Sequence, residues 1–291
     1  MRLVAPVLLA ALSLPDAAAQ PEPGWGFTWE RVGDRPAKAD GLAFDAGGTL
    51  WAACVDSVRW LDTSAGPPGR WRGFAQVFPG PNPEALLPLG PDTLLAVGGY
   101  TWRSTDGGVT WPRVADFGHY ALYEMPAGTG VAGRVLVGTA ANATGAAYSD
   151  DRGATWAQAV FSTGRTDNRV YALTALPGPS TRVVGAGVGG LYLSDDGGAS
   201  YRAGPVHDFG LYNGRFVAAL PLHGGGTRLV ALVNESGVGA VRTFTSDDGG
   251  ETWGAGPNLT EPSGDGLGWP AVKGLIPVGG PSAVAVLGRG R

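Results

Sequence analysis

One cysteine, Cys54, occurs in 291 residues, so no internal disulfide can form and the fold must be held by packing. It sits in the apolar stretch Leu50-Trp51-Ala52-Ala53-Cys54-Val55 and reads as a small buried hydrophobe. Histidine is nearly as scarce. His119, His207 and His223 lack zinc-like spacing, and no metal or cofactor is expected. Charged residues make up 16% of the chain and the net charge is −4, which excludes the basic footprint of a nucleic-acid binder and a basic membrane patch. No apolar run approaches the roughly 20 residues of a bilayer span. No Gly-x-Ser-x-Gly elbow or phosphate loop is present either.

The N-terminus carries Arg2, an apolar stretch over residues 3–14, and Ala17-Ala18-Ala19 before Gln20. This order predicts an export signal over residues 1–19, with no cysteine at the cleavage site for a lipid anchor. The remaining 20–291 form one domain, placed outside the cytoplasm as a secreted, periplasmic or cell-surface protein. Lysine is rare among the 21 basic residues while Ala and Gly abound, a composition that suggests a bacterial source. Gly and Pro, at 50 and 23 residues, approach the level of disordered chains, but ten Trp at regular spacing argue for a packed fold.

That spacing comes from a repeat. Ser104-Thr105-Asp106-Gly107-Gly108-Val109-Thr110-Trp111 recurs as Ser149-Asp150-Asp151-Arg152-Gly153-Ala154-Thr155-Trp156, as Ser194-Asp195-Asp196-Gly197-Gly198-Ala199-Ser200-Tyr201, and as Ser246-Asp247-Asp248-Gly249-Gly250-Glu251-Thr252-Trp253. The closing aromatics lie 45, 45 and 52 residues apart. Asp followed by Gly makes a tight turn, because the carboxylate accepts backbone N–H bonds while Gly takes positive φ. The carboxylates Asp106, Asp151, Asp196 and Asp248 and the rings Trp111, Trp156, Tyr201 and Trp253 therefore read as structural, with Tyr201 a conservative replacement. Asp247-Asp248-Gly249-Gly250-Glu251 lacks the alternating oxygen ligands of a calcium loop and is also a turn.

The octapeptides resemble the Asp-box, or BNR repeat, of sialidases, sortilin-type receptors, xyloglucan-degrading hydrolases and photosystem II assembly factors. The resemblance implies a β-propeller. The residues agree: apolar runs at 121–125 and 135–139, 170–176 and 181–187, and 216–220 and 229–233 supply two further strands between boxes, giving four-stranded blades. A degenerate first unit uses 41–44 and 49–54, with a Pro-rich turn at 62–69 before Trp71. The expected architecture is all-β, a single propeller of five to six blades and most simply six. Residues 27–32 around Trp29 would pair beside 272–278 and 282–287 in a shared last blade. The competing reading is that further blades follow Arg291 in a longer chain.

Propeller geometry favours ligands at the channel mouth, on the loops entering the innermost strands opposite the boxes. The candidates there are His119, Tyr120, Asn168, Arg169, Tyr171, Tyr212, Arg215 and Trp269, with Asp167 and Lys273 close by. Aromatics mixed with Arg, Asn and Asp suit a glycan, peptide or protein ligand on a monomeric, non-catalytic disc. The alternatives are a glycosidase and a structural module of a cell-surface protein. Resemblance to sialidases implies an Arg triad and a Tyr nucleophile with a Glu partner. Asp34-Arg35-Pro36 is a poor echo of the sialidase Arg-Ile-Pro signature, and no Tyr follows Tyr212.

Overall fold

The computed structural model describes residues 9–12, 39–54, 57–62, 64, 70–75, 78, 83–139, 145–207, 212–222, 224–235, 241–259, 270–279 and 282–289. These residues form strands and turns with no helix among them, and the chain is an all-β propeller. Five blades are meanders in chain order. Blade I is Ala39–Phe44, Leu50–Cys54, Ser57–Asp62 and Arg70–Ala75. Blade II is Ala85–Pro88, Leu94–Val97, Thr101–Ser104 and Arg113–Ala115. Blade III is Ala121–Glu124, Val135–Gly138, Ala146–Ser149 and Ala157–Gln158. Blade IV is Val170–Ala175, Val183–Gly187, Gly190–Ser194 and Ser200–His207. Blade V is Tyr212–Pro221, Thr227–Glu235, Val241–Ser246 and Gly254–Leu259. The first strand of each blade lies against the first strand of the next, through to Pro270–Gly279 of a sixth sheet.

That sixth sheet joins the two ends of the chain, although not through the expected segment. Leu9–Leu12 runs antiparallel to Ser282–Arg289, with Leu9 opposite Val286 and Leu12 opposite Ala283. The apolar Leu-Ala-Ala-Leu that reads as part of an export signal is also compatible with a strand edge of small apolar residues. Residues 27–32, expected in this place, lie outside the described residues.

Each octapeptide is the connection between a third and a fourth strand, so all four sit at the same end of their blades. In blade II the Ser104 hydroxyl donates to Asp106 Oδ1 at 2.7 Å and accepts from the Gly108 amide at 2.8 Å. Asp106 then takes the Thr110 amide at 2.9 Å and the Thr110 hydroxyl at 2.5 Å. Trp111 Nε1 closes the turn on the Gly108 carbonyl at 2.8 Å. The set recurs around Asp151, Asp196 and Asp248. Gly153, at φ 82°, shows why glycine is required: a Cβ there would lie 2.6 Å from the Leu95 side chain of the preceding blade.

Two boxes depart from the pattern. Tyr201 is 2% exposed and its hydroxyl has no hydrogen-bond partner among the described residues, whereas Trp111, Trp156 and Trp253 each donate to a glycine carbonyl. The replacement keeps the volume and loses the bond. Arg152 holds φ 59° where the other boxes have Gly107, Gly197 and Gly249, a backbone region that disfavours a Cβ. Contacts to blade II compensate: its guanidinium donates to the Leu89 carbonyl, and its own carbonyl accepts from Arg103 Nε at 3.0 Å.

Arginines tie neighbouring boxes together, a feature the sequence reading missed. Arg134 grips Asp150 of its own box through two bonds of 2.6 and 2.9 Å and donates to the Asp196 carbonyl of the next box at 3.1 Å. Arg182 pairs with Asp195 at 2.6 Å and reaches the Gly249 carbonyl at 3.1 Å and Glu251 at 2.8 Å in blade V. Arg228 holds Asp247 through two 2.7 Å bonds. Between the sheets lies apolar packing, with Met125, Leu136, Val183 and Tyr192 joining blades III and IV, and Leu191, Leu193, Val217 and Leu229 joining IV and V.

Two further elements were not anticipated. Val160–Ser162 adds a parallel fifth strand to the outer edge of blade IV, and Phe161 stacks on Tyr201 at 4.9 Å. In blade I, Asp45 accepts from the amides of Gly47 and Thr49 and from Trp51 Nε1 at 2.9, 2.8 and 2.9 Å, repeating the box chemistry in a turn between first and second strands.

Hydrogen bonds from the side chain and amide of Thr110, and likewise of Thr155, hold the Asp106 and Asp151 carboxyls at about 2, below the ordinary 3.8. The folded state therefore binds fewer protons than the unfolded chain in this range. Their stabilisation is complete well above 3.8 and drains away as the pH falls through about 2. Urea midpoints should fall on acidification from about pH 5 to about pH 2, with a shallower slope in Asp106→Asn/Asp151→Asn. Tyr201→Phe, which removes the unpartnered hydroxyl, should raise stability by about 1 kcal/mol in thermal melts.

Candidate functional site

At the end of the blades opposite the boxes, Glu84, Tyr120 and Arg169 each immediately precede an innermost strand. Backbone bonds fix these entries: Glu84 N donates to the Val97 carbonyl at 2.6 Å, His119 N to Gly138 at 3.1 Å, and Val188 N to Arg169 at 2.9 Å. Blades III and IV meet closely here because position 138 is glycine. A Cβ there would lie 2.3 Å from the Val170 carbonyl.

On this frame a strip of rings crosses from blade III to blade IV and ends on Glu84 of blade II. His119 Nδ1 lies 3.2 Å from Glu84 Oε2 of the preceding blade. The His119 ring is 5.0 Å from Tyr120, which meets Tyr171 of the following blade edge-on at 4.9 Å. Tyr120 is 42% exposed, enough to offer a face to a ligand. Beside it, Arg169 holds Asp167 in a planar fork, Nε to Oδ1 at 3.0 Å and Nη2 to Oδ2 at 2.8 Å. Hydrogen bonding to Arg169 holds the Asp167 carboxyl below its ordinary value against the opposing effect of burial, and the same fork raises the guanidinium. Tyr192 lies beneath the cluster. Burial pushes its phenol well up, and its hydroxyl donates to the Val188 carbonyl.

The candidates are placed as follows. His119, Tyr120, Arg169 and Tyr171 come together. Asn168 is 5% exposed and turned inward, with Oδ1 accepting from the Thr163 hydroxyl at 2.6 Å and Nδ2 donating to the Arg165 carbonyl at 3.2 Å, so it fixes the loop. Tyr212 and Arg215 belong to the start of the innermost strand of blade V, at the same end. Trp269 lies outside the described residues. Glu84 was missed, as was the position of Asp40. Among the described residues no three His, Cys, Asp or Glu side chains gather to hold a metal ion.

One device recurs at this end. The ladder between first and second strands skips a residue at Asp40, at Tyr171, at Arg215 and at Lys273. Each is a β-bulge on the innermost strand, one residue before regular pairing resumes. Glu84 and Tyr120 hold the corresponding place in blades II and III, directly before Ala85 and Ala121.

The described geometry has counterparts among solved structures. The chain is similar to a GH74 xyloglucanase from Xanthomonas campestris, with TM-score 0.53, 18% identity, and coverage of 83% of this chain and 40% of that one. An ancestral GH74 enzyme aligns with TM-score 0.51 and 15% identity over 81% of this chain and 32% of its own, so the chain spans well under half the length of either enzyme. YCF48 from Cyanidioschyzon merolae gives 0.54 and 14% identity over 84% and 81%, and YCF48 bound to D1 peptide gives 0.52 and 14% over 86% and 79%. These likenesses establish the propeller fold. No protein-family model matches the chain, and no curated protein matches it.

Tyr192→Phe should cost about 1 kcal/mol in thermal melts, because the Val188 carbonyl loses a buried donor. Amide exchange should quicken in the entry loop around Arg169 while the box turns keep their protection.

Proposed function

We propose that this protein is an exported, non-catalytic Asp-box propeller that binds a glycan, peptide or protein partner at its channel mouth. The observation that carries the reading is the ring strip His119–Tyr120–Tyr171 set beside the Arg169–Asp167 fork, because with Glu84 against His119 it joins residues of three blades on one rim. Aromatic faces next to planar donors and acceptors match ligands with both apolar faces and hydroxyl or amide groups. The four turns built on Ser, Asp and Thr or Ser support the Asp-box assignment. The fold shared with YCF48 in complex with D1 peptide supports a binding role for such a disc.

The second reading is a glycosidase, favoured by the fold shared with the GH74 enzymes. Hydrolysis needs two carboxyl groups, one of them protonated as general acid. Asp167 is a poor acid, since its fork with Arg169 holds it ionised. Export would remove residues 1–19 and with them Leu9–Leu12, leaving the edge of Ser282–Arg289 to residues 27–32.

The test is a glycan and peptide binding screen on purified protein beside sialidase and endoglucanase assays. Binding without turnover is expected, and Arg169→Ala/Arg215→Ala should weaken it about tenfold or more. Unchanged affinity in that variant would remove the mouth as the site. Turnover of a sialoside or β-glucan lost with Arg169→Ala would establish the enzyme instead.

A further inference from the structure

Resting on the channel-mouth reading, we propose that Asp40, Glu84, Tyr120, Tyr171, Arg215 and Lys273 form one recognition rim that selects a dipolar peptide, basic at one end and acidic at the other. The six hold the same place in successive blades: the ladder between first and second strands skips Asp40, Tyr171, Arg215 and Lys273 one residue before regular pairing resumes, and Glu84 and Tyr120 come directly before the first pair of theirs. From blade II to blade IV neighbouring entries meet on the rim. Tyr120 touches Tyr171 at 4.9 Å across blades III and IV, and the residue preceding Tyr120 reaches Glu84 at 3.2 Å across blades II and III. Blade I enters the same arc at the backbone, where a Cβ on Gly41, next to Asp40, would lie 2.7 Å from the Glu84 carbonyl.

The order of residue types at these six positions is not mixed. Acidic residues occupy blades I and II, aromatic residues III and IV, and basic residues V and VI. The six carry two negative and two positive formal charges, so the set is neutral overall and its charge is separated along the blade order. Such a rim attracts neither a polyanion nor a polycation as a whole. It rewards a ligand whose own charges are separated in the opposite sense, because like charges facing each other cost more than neutral contacts do. The two tyrosines between the poles suit an apolar or aromatic side chain in the middle of that ligand. A neutral sugar would use the rings and gain nothing from the charged residues.

The experiment measures fluorescence anisotropy of end-capped peptides on the full chain: Arg-Arg-Gly-Phe-Gly-Asp-Asp, all-Arg and all-Asp versions of the same length, and labelled cellohexaose as the glycan probe. The dipolar peptide should bind about tenfold or more tighter than either single-charge peptide and than the glycan. Asp40→Asn/Glu84→Gln should shift the preference toward the all-Asp peptide, and Arg215→Gln/Lys273→Gln toward the all-Arg peptide, in variants that melt as the parent does. Preference for cellohexaose or a single-charge peptide, or charge variants that leave the ranking unchanged, would overturn the polarised rim. In those cases binding lost with Tyr120→Ala/Tyr171→Ala would keep the channel-mouth reading. Failure of every probe to bind, or binding untouched by that tyrosine variant, would overturn both.

Discussion

A carboxylate closed over a turn by Ser and Thr hydroxyls is the interaction on which the blades depend. In each of the four repeated turns it accepts a backbone amide and two hydroxyls, while the serine oxygen takes the amide of a glycine that no other residue could replace without a clash or strained backbone. A third strand thereby returns as a fourth at a fixed angle, and the aromatic after the turn is delivered between sheets. Because the carboxylates are exposed, their contribution lies in geometry and charge-assisted bonding more than in burial.

The arginines turn these local closures into a connected rim. Arg134 and Arg182 each hold an aspartate of their own box and carbonyl oxygens of the next, so the position of one turn constrains its neighbour. Blade II has Thr93 before its second strand in place of such an arginine, and there the link runs the other way, from Arg152 of blade III back to the Leu89 carbonyl. The unfavourable backbone of Arg152 is thus explained by the bond it makes across the seam.

Much of the fold is legible in the sequence because the turn chemistry is local: Ser, Asp, Gly and Thr at fixed offsets dictate the hydrogen bonds later seen, and apolar runs between boxes became the first and second strands. Features that depend on pairing between distant residues were not. The arginine links require knowing that position 134 lies beside position 196, and the parallel strand Val160–Ser162 has no local signature. At the mouth, His119, Tyr120, Arg169 and Tyr171 stood out by residue type. Asp40 and Glu84 did not, although the pattern was present: Asp40-Gly41, Glu84-Ala85, Tyr120-Ala121, Tyr171-Ala172 and Lys273-Gly274 each set a large polar or aromatic residue before a small one. The register shifts identify what the pattern means. Asn168 misled in the opposite way, since a polar residue in a loop can be spent on the loop itself.

The bulges at Asp40, Tyr171, Arg215 and Lys273 separate two kinds of change that most proteins must make together. A bulged residue stands outside the ladder, so replacing it alters neither the pairing register nor the apolar alternation that buries the blade. Under the proposed binding role, mutation at these places explores ligand preference while the scaffold stays constant, and mutation along the strands tunes stability while the rim stays constant. Single substitutions there leave each intermediate folded, so the chemistry of the mouth is free to vary.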